Sequence, residues 1–525
     1  MSTIATEKIL NKKIKHILIH ISDSLIERDE ALKLLLLAAL SGEHILLIGP
    51  PGTAKSELAR RIKLAFNNGQ YFERLLTRFS VPEELFGPLS IKALENDQYT
   101  RLTKNYLPDA SIAFIDEIFK ANSAILNTLL TLLNEREFDN GDQRVKTPLI
   151  TVVAASNELP DNEELDALYD RFLFRCEVLP VSNIGFEALL EMEETGKLIP
   201  VESISPEEIE GIKKHSESVT LSKDVIYMIK TLRQYLQEQD IYVSDRRWRN
   251  TVKMLRVSAL TNNRNAVSIW DCWLMQHCLW ENPKQKKLIF NWYKQHIGTS
   301  EIIDIERINK LVNVWDKTLD DEKKRKVSVY NDKGEKLYRT PKGETTTDSG
   351  QEYLVDRDGN ALYLSPPDLS DNGINPMDKN ADRTNNGDGL TRQELEAEFF
   401  DDYYQQRHID GKWVTIESYI NNEENRFTKR FQYNPYQESA KYSKAHINDR
   451  CNEVNNLLND ITSYRTQIEN MLESASSILG NHLWIDPDFS ETAKGVLQEN
   501  LRSLNNVTER LKEIHNGFES LPEAA

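Results

Sequence analysis

The chain has 525 residues, with Lys+Arg 65 against Asp+Glu 83, a net charge of −18 and a mean hydropathy of −0.55. At roughly 100–200 residues per domain, that length gives about three or four domains. So acidic a balance argues against wrapping of a nucleic-acid backbone, which needs a basic face, and makes a nucleic-acid motor the poorest of the candidate readings. The longest apolar stretch, Ala31–Leu40, carries Lys33 and falls well short of the roughly 20 residues a bilayer span needs. No compact apolar region precedes a cleavage site near Met1, and Cys176, Cys272, Cys278 and Cys451 form no CxxC pair. A reduced, cytoplasmic compartment is expected, without membrane span, disulfide or zinc framework.

From about residue 25 to 180, short apolar runs alternate with helical patterns, the signature of a parallel α/β sheet. The runs are His44–Ile48, Ile112–Ile115 and Leu149–Ala154. The first leads into Gly49-Pro50-Pro51-Gly52-Thr53-Ala54-Lys55-Ser56 and then a helical pattern, the context of a phosphate-binding loop. Backbone N–H groups of such a loop cradle phosphates at a helix N-terminus. Lys55 would reach the β- and γ-phosphates, and the Ser56 hydroxyl would ligate Mg²⁺. Ala54 stands where glycine is usual. Because alanine lacks easy access to positive φ, an ordinary helical conformation is expected there.

The second run ends in Asp116-Glu117, one carboxylate suited to the Mg²⁺ shell and the other to orienting an attacking water. Asp139-Asn140-Gly141-Asp142 reads as a hairpin tip. The third run ends in Ser156-Asn157, a polar side chain able to hold the same water. Three strand ends at one crevice are where an open α/β sheet binds its ligand. Asp170-Arg171-Phe172 and Arg175 follow a polar loop.

Residues 205 to 300 read as helices only, with N-caps at Ser205 (followed by Pro206 and Glu208), Ser222 and Ser244. Arg246 and Arg247 fall in a first helical turn, where positive charge costs about 0.3–1 kcal/mol unless an anion is near. A nucleotide phosphate would reverse that sign. His277 beside Cys278 reads as core packing rather than a metal ligand, and Lys323–Lys326 as a solvated helix face. Hairpins are expected around Asp332-Lys333-Gly334 and Asp358-Gly359. The Asn/Asp/Gly/Pro-rich stretch 366–393 reads as a linker. Within it, Asp382, Thr384, Asn386, Gly387, Asp388, Gly389 and Glu394 approximate a calcium loop with one residue too few, so a solvated loop is favoured.

From about 441, Ile447, Cys451, Val454, Leu458, Ile461, Ile468, Leu472 and Ala475 repeat at 4-3-4-3 spacing with a break at Arg465. A second helix carries Leu497, Leu501, Leu504, Leu511 and Ile514. An antiparallel hairpin packed on a third helix from 284–320 is expected.

Together with Ala38–Glu43, Thr77–Ser80, Phe86–Ser90, Ala124–Leu130, Ala154–Pro160 and Tyr242–Trp248, these motifs resemble AAA+ ATPases of the MoxR group. They closely resemble its RavA (regulatory ATPase variant A) branch. The resemblance covers about residues 20 to 290, and Leu483-Trp484-Ile485-Asp486-Pro487 extends it into the C-terminal helices. It implies an α/β AAA+ core (1–200) and an all-α lid (201–283). It further implies a triple-helical module (284–326 and 441–525) interrupted by a β-rich insertion (327–440).

By the same resemblance, Gly49–Ser56 is Walker A, Asp116-Glu117 Walker B and Asn157 sensor 1. Arg171 is the arginine finger that reaches a neighbouring subunit's nucleotide, worth roughly 10³–10⁵ in rate. Arg246 is sensor 2, coupling the lid to the γ-phosphate, with Arg247 as second choice. ATP/ADP and Mg²⁺, a homo-hexameric ring, a von Willebrand factor A domain partner and a protein substrate follow as expectations. The expected activity is Mg²⁺-dependent ATP hydrolysis coupled to chaperone-like remodelling. The alternative is a nucleotide-gated scaffold with incidental hydrolysis.

Overall fold

Five parallel strands form the central sheet of the computed structural model, in the order β2-β3-β6-β1-β7. They are β1 Ile45–Ile48, β2 Tyr71–Leu75, β3 Ile112–Asp116, β6 Thr151–Ser156 and β7 Phe174–Glu177; β4 Glu137–Asn140 and β5 Gln143–Lys146 form a separate antiparallel hairpin. The structure describes residues 2–67, 69–160, 163–192, 202–298, 305–350, 352–366, 389–409, 412–427 and 433–524.

The three apolar runs became the three inner strands. β1 and β6 are buried at every position, and β3 at all but Asp116. Strands covered on both faces read as continuous apolar sequence. The edge strands β2 and β7 include Glu73, Arg74, Arg175 and Glu177, which hides them from an apolar-run reading. The β4–β5 hairpin turns at Gly141, as its tip residues predict.

Register sets the two ends of the sheet. Ile48 lies beside Ser156 and Glu177, and Leu75 beside Asp116, so the C-terminal ends are level. Ile45 lies beside Val153 and Phe174, which levels the N-terminal ends.

The chain divides into two units, the first comprising Met1–Val312 and Asn456–Leu511 and the second Asn313–Asn455 and Lys512–Ala525. In the first unit the lid is built from helices Pro206–Ser216, Lys223–Glu238 and Asp245–Thr261 and the 3₁₀ segment Ile269–His277, and Pro283–His296, expected in the triple-helical module, packs on it with Trp292 stacked on Tyr235. Ser205 forms a capping box with Glu208, and Ser222 and Ser244 cap the next two helices, each as expected from sequence. A two-residue parallel pairing of Thr220–Leu221 with Ala266–Val267 departs from the all-helical reading.

Behind the lid, the corner after helix Lys444–Leu479 docks through polar contacts. Asp271, fully buried, accepts from Ser258 Oγ at 2.6 Å, from Arg264 at 2.6 and 2.8 Å, and lies 3.1 Å from His482 Nε2. His482 Nδ1 accepts the backbone N–H groups of Trp484 and Ile485, so Nε2 carries the proton and the ring is neutral. Trp484 Nε1 donates to Thr261 Oγ1 at 2.8 Å.

In the second unit, Trp315 meets Phe518 edge-on, and Glu322 accepts from Arg450 at 3.2 Å with His446 Nε2 at the same distance. Short antiparallel pairings follow: Lys326–Ser328 with Gln437–Ser439, Tyr338–Arg339 with Thr345–Thr346 and Asn434–Pro435, and Gln406–Ile409 with Lys412–Thr415. The predicted hairpins appear as bridges Tyr330 to Lys336 and Val355 to Ala361. Leu395, Phe399, Phe400, Ile416 and Tyr419 form a small core.

Of the calcium-loop residues, Asp382, Thr384, Asn386, Gly387 and Asp388 lie outside the described residues. The Glu394 carboxylate instead closes a capping box, accepting from Thr391 N at 2.7 Å. Among the described residues no helix is long and apolar enough to cross a membrane.

Three buried histidines are held neutral by burial: His44 well below the usual value, His277 down to about 3, and His482 lowered despite Asp271. His277 has no hydrogen bond on either ring nitrogen, although Glu30 Oε1 lies 3.4 Å from Nε2. Their folded pKa values are depressed, so their stabilisation is complete above the unfolded value of 6.5 and is lost as pH falls below it. Between pH 7.5 and 5.5 His277 withdraws about 1 kcal/mol, and His44 and His482 act in the same direction. The midpoint of thermal unfolding, followed by tryptophan fluorescence, is expected to fall across that interval. His277→Phe is expected to make the fall shallower; an unchanged pH slope in that variant would refute the assignment.

Candidate active site

The C-terminal edge of the sheet gathers the loop 49–56, Asp116, Glu117 and Asn157. Gly49 N donates to Ser156 O at 3.1 Å, tying the loop to β6. A Cβ at Gly49 would stand 2.2 Å from the Val178 carbonyl oxygen, so only glycine fits. Gly52 turns the loop at φ +78°. Thr53 Oγ1 donates back to Pro50 O at 3.0 Å. From outside, Arg28 braces the loop, its Nε donating to Thr53 O at 3.2 Å and Nη2 to Leu179 O at 2.9 Å. The sequence reading missed Arg28. A buried arginine just ahead of an apolar helix carries no motif of its own.

Ala54 corrects an expectation. It does not sit in an ordinary helical conformation but at φ +67°, ψ +24°, the left-handed region. The loop must reverse direction immediately before helix Lys55–Lys63, and that demand overrides the alanine's steric preference. Glu117 is likewise left-handed at φ +54°. Two of the ten non-glycine residues with positive φ among the described residues thus stand at this crevice.

The polar side chains form one chain of contacts. Lys55 Nζ donates to Gly49 O at 2.7 Å, Pro50 O at 2.9 Å and Asn157 Oδ1 at 3.0 Å. Asn157 Nδ2 donates to Glu117 Oε1 at 2.6 Å, and Lys120 Nζ lies 3.2 Å from Glu117 Oε2. With an ammonium on one side and a carboxylate on the other, the orientation of the Asn157 amide is determined. Burial draws the Lys55 ammonium down, against the pull of Asp116 and Glu117. Burial also raises the Asp116 carboxyl, whose Oδ1 accepts the Glu117 N–H at 3.0 Å. A half-buried carboxylate pushed towards its neutral form is stabilised in its charged form by a cation, and Ser56 offers a hydroxyl oxygen beside the loop. Two oxygen ligands suit Mg²⁺ arriving on nucleotide phosphates, since that ion keeps water and substrate oxygens in its shell.

The arginines are not in this crevice. Arg171 precedes β7, whose first residue Phe174 donates its N–H to His44 O at the N-terminal edge of the sheet. Arg246 lines a cavity with Glu43, His44, Leu149 and Ile150 at the same edge. From His44 to Gly49 the strand rises about 17 Å at 3.3–3.4 Å per residue. Arg246 is therefore not among the residues the fold brings to this chain's own phosphate loop. Arg171 Nε is buried without a hydrogen-bond partner.

Arg247 and Arg175 are structural. Arg247, 4% exposed, donates to the carbonyls of Asp170 (3.1 Å), Phe172 (2.7 Å), Leu173 (2.9 Å) and Cys278. Its misfit at a helix N-terminus is thus met by carbonyl oxygens, not by a phosphate. Arg175 bonds Trp280 O and lies over the Tyr169 ring at 3.6 Å, with burial pulling its guanidinium down to about 9.

A family model for the MoxR domain of MoxR–vWA–β-propeller ternary systems matches residues 12–214, and one for an AAA lid domain matches residues 224–293. An uncharacterised protein of Methanocaldococcus jannaschii is 39% identical over 301 residues, 55% of this chain and 78% of its own. A second from that organism is 42% identical over 265 residues, 50% and 69% of the two chains. A structural protein of Acidianus two-tailed virus is 28% identical over 265 residues, 46% of this chain and 43% of its own. A crystal structure from Cytophaga hutchinsonii is 18% identical, with TM-score 0.45, and spans 55% of this chain and 94% of its own.

Left-handed alanine costs roughly 1–2 kcal/mol relative to a helical conformation, whereas glycine adopts it freely. Ala54→Gly is expected to keep nucleotide affinity and raise stability by about 0.5–1 kcal/mol, the glycine's extra unfolded-state entropy offsetting part of the relief. Denaturant unfolding of the two proteins measures this; a destabilised variant would show that position 54 is unstrained.

Proposed function

Because the chain belongs to the MoxR-type AAA+ ATPases, we propose that it hydrolyses ATP with Mg²⁺ as a hexameric ring and uses the cycle to remodel protein partners. The observation that carries this reading is the split constellation. Loop, Asp116, Glu117 and Asn157 stand at one end of the sheet, and Arg171 and Arg246 at the other. One chain alone offers an incomplete site. In a ring, the N-terminal edge of one subunit meets the phosphate loop of the next, and both arginines act in trans.

Bound phosphates compete for Lys55, drawing it from the carbonyls of Gly49 and Pro50 and from Asn157. Asn157 is then free to hold the attacking water with Glu117, which orients the water and accepts its proton. Ser56 and Asp116 would hold Mg²⁺, which when bound would neutralise phosphate charge. Arg171 and Arg246 of the neighbour stabilise charge on the transferring phosphoryl group. The matching family model describes MoxR–vWA–β-propeller systems, which supports a partner with a von Willebrand factor A domain. Placement in the RavA branch rests on the sequence resemblance, and placement in the cytoplasm on the scattered cysteines.

Glu117→Gln is expected to bind ATP as the wild type does and to turn it over at least tenfold more slowly; wild-type turnover in that variant would sink the assignment. Arg171→Ala tests the shared site. Wild-type turnover per subunit should climb with protein concentration as light scattering reports ring formation. The variant should assemble and bind nucleotide yet lose that climb. A rate independent of both assembly and Arg171 would favour the scaffold instead.

A further inference from the structure

At the N-terminal edge of the sheet a cavity of about 620 Å³ opens between the α/β core and the lid. Its charged lining is Arg136, Lys213, Arg246 and Lys253 against Glu43 and Glu210. An excess of positive charge is unexpected in a protein of net charge −18. Glu43 is already engaged, accepting from Asn250 at 2.9 Å and Lys253 at 3.1 Å.

Arg136 is the informative member. It caps helix Ser123–Glu135 in the left-handed conformation, φ +57°, which swings its side chain off the helix. Nη2 donates to Gly42 O at 2.9 Å, while Nη1 is buried without a hydrogen-bond partner. Burial pulls the guanidinium down to about 10, with Glu43 acting in the opposite sense. A buried guanidinium N–H left unpaired is costly, and because the Arg136 side chain lines the cavity, an anion entering it would be met by that group once the guanidinium turns Nη1 to the open space. Arg171, with its own unpaired buried Nε, stands at the same end of the sheet.

We propose that this cavity receives the terminal phosphates of ATP held in the phosphate loop of a second copy of the chain, and that Arg136, supported by Lys253, contacts them. The proposal rests on the shared-site reading above and adds residues that no motif identified. Phosphate is the ligand chemistry because the cavity offers a planar guanidinium fork and ammonium groups around one open space.

Mixing tests it. Arg136→Gln keeps a donor for the Gly42 carbonyl; alone, it should retain ATP affinity within about twofold and lose at least tenfold in turnover. Lys55→Ala alone should be inactive, its arginines intact. Mixed one to one, the two should recover to about a quarter of wild type, because half the subunits carry an intact loop and half of those meet an intact arginine. A merely structural Arg136 would damage its own subunit, and mixing would restore nothing.

The parallel mixture of Lys55→Ala with Arg171→Ala separates the two readings. Recovery there but not with Arg136→Gln overturns the present proposal alone; recovery in neither overturns the shared site as well. If Arg136→Gln fails to fold, Lys253→Ala should give the same pattern, and a fully active Lys253→Ala would count against the cavity. Inorganic phosphate that stabilises wild type but not Arg136→Gln, without recovery on mixing, would reassign the cavity to a free anion and overturn the proposal.

Discussion

The guanidinium of Arg247 is buried in the seam between lid and sheet, and it meets carbonyl oxygens from both sides. Asp170, Phe172 and Leu173 come from the entry to β7, and Cys278 from the end of the 3₁₀ segment. Removing it would leave several buried carbonyls unpaired, a cost of about 1–3 kcal/mol for each. The rest of the arrangement follows from this contact. It clamps the first turn of helix Asp245–Thr261 to the N-terminal edge of the sheet, and so carries Arg246 to that edge. Arg175, bonded to Trp280 O, reinforces the same seam. The lid is therefore bound to the end of the sheet opposite loop 49–56.

At the other end, the contacts form a relay rather than a rigid cage. Lys55, Asn157, Glu117 and Lys120 are linked in series, so displacing the lysine alters what holds the glutamate two links away. Strain is stored on both sides of the relay, at Ala54 and Glu117. Left-handed backbone at non-glycine residues persists only where the surroundings over-determine it. Here the loop's hydrogen bonds to β6 and Arg28 provide that constraint. Lys55 in the loop and the Glu117 carboxylate are coupled through Asn157, each within hydrogen-bonding distance of the next.

The inner strands, the phosphate loop, the Asp-Glu pair and Asn157 were all legible before any coordinates, because each is local: an apolar run, a glycine-rich turn, a carboxylate at a strand end. So were the three serine caps of the lid. The edge strands were not, since both mix charged with apolar residues; Tyr71–Leu75 is also only partly buried, whereas Phe174–Glu177 is buried but for Glu177. The backbone at Ala54 was misjudged for a related reason. Residue preference predicted it, but the reversal between strand and helix decided it.

What the sequence determined by itself was the inventory of chemical groups and the parallel α/β frame that carries them, because strand and helix periodicity and the phosphate-loop spacing are properties of neighbouring residues. Tertiary structure alone decided the division of labour among the arginines. Arg246 and Arg247 are adjacent and chemically identical, yet one faces an open cavity and the other is buried against carbonyl oxygens from residues about 30 and 75 positions away. Arg136 has no sequence signal at all. Its unpaired N–H exists only because a left-handed helix end, the core and the lid close around one space, and no pattern along the chain encodes that meeting.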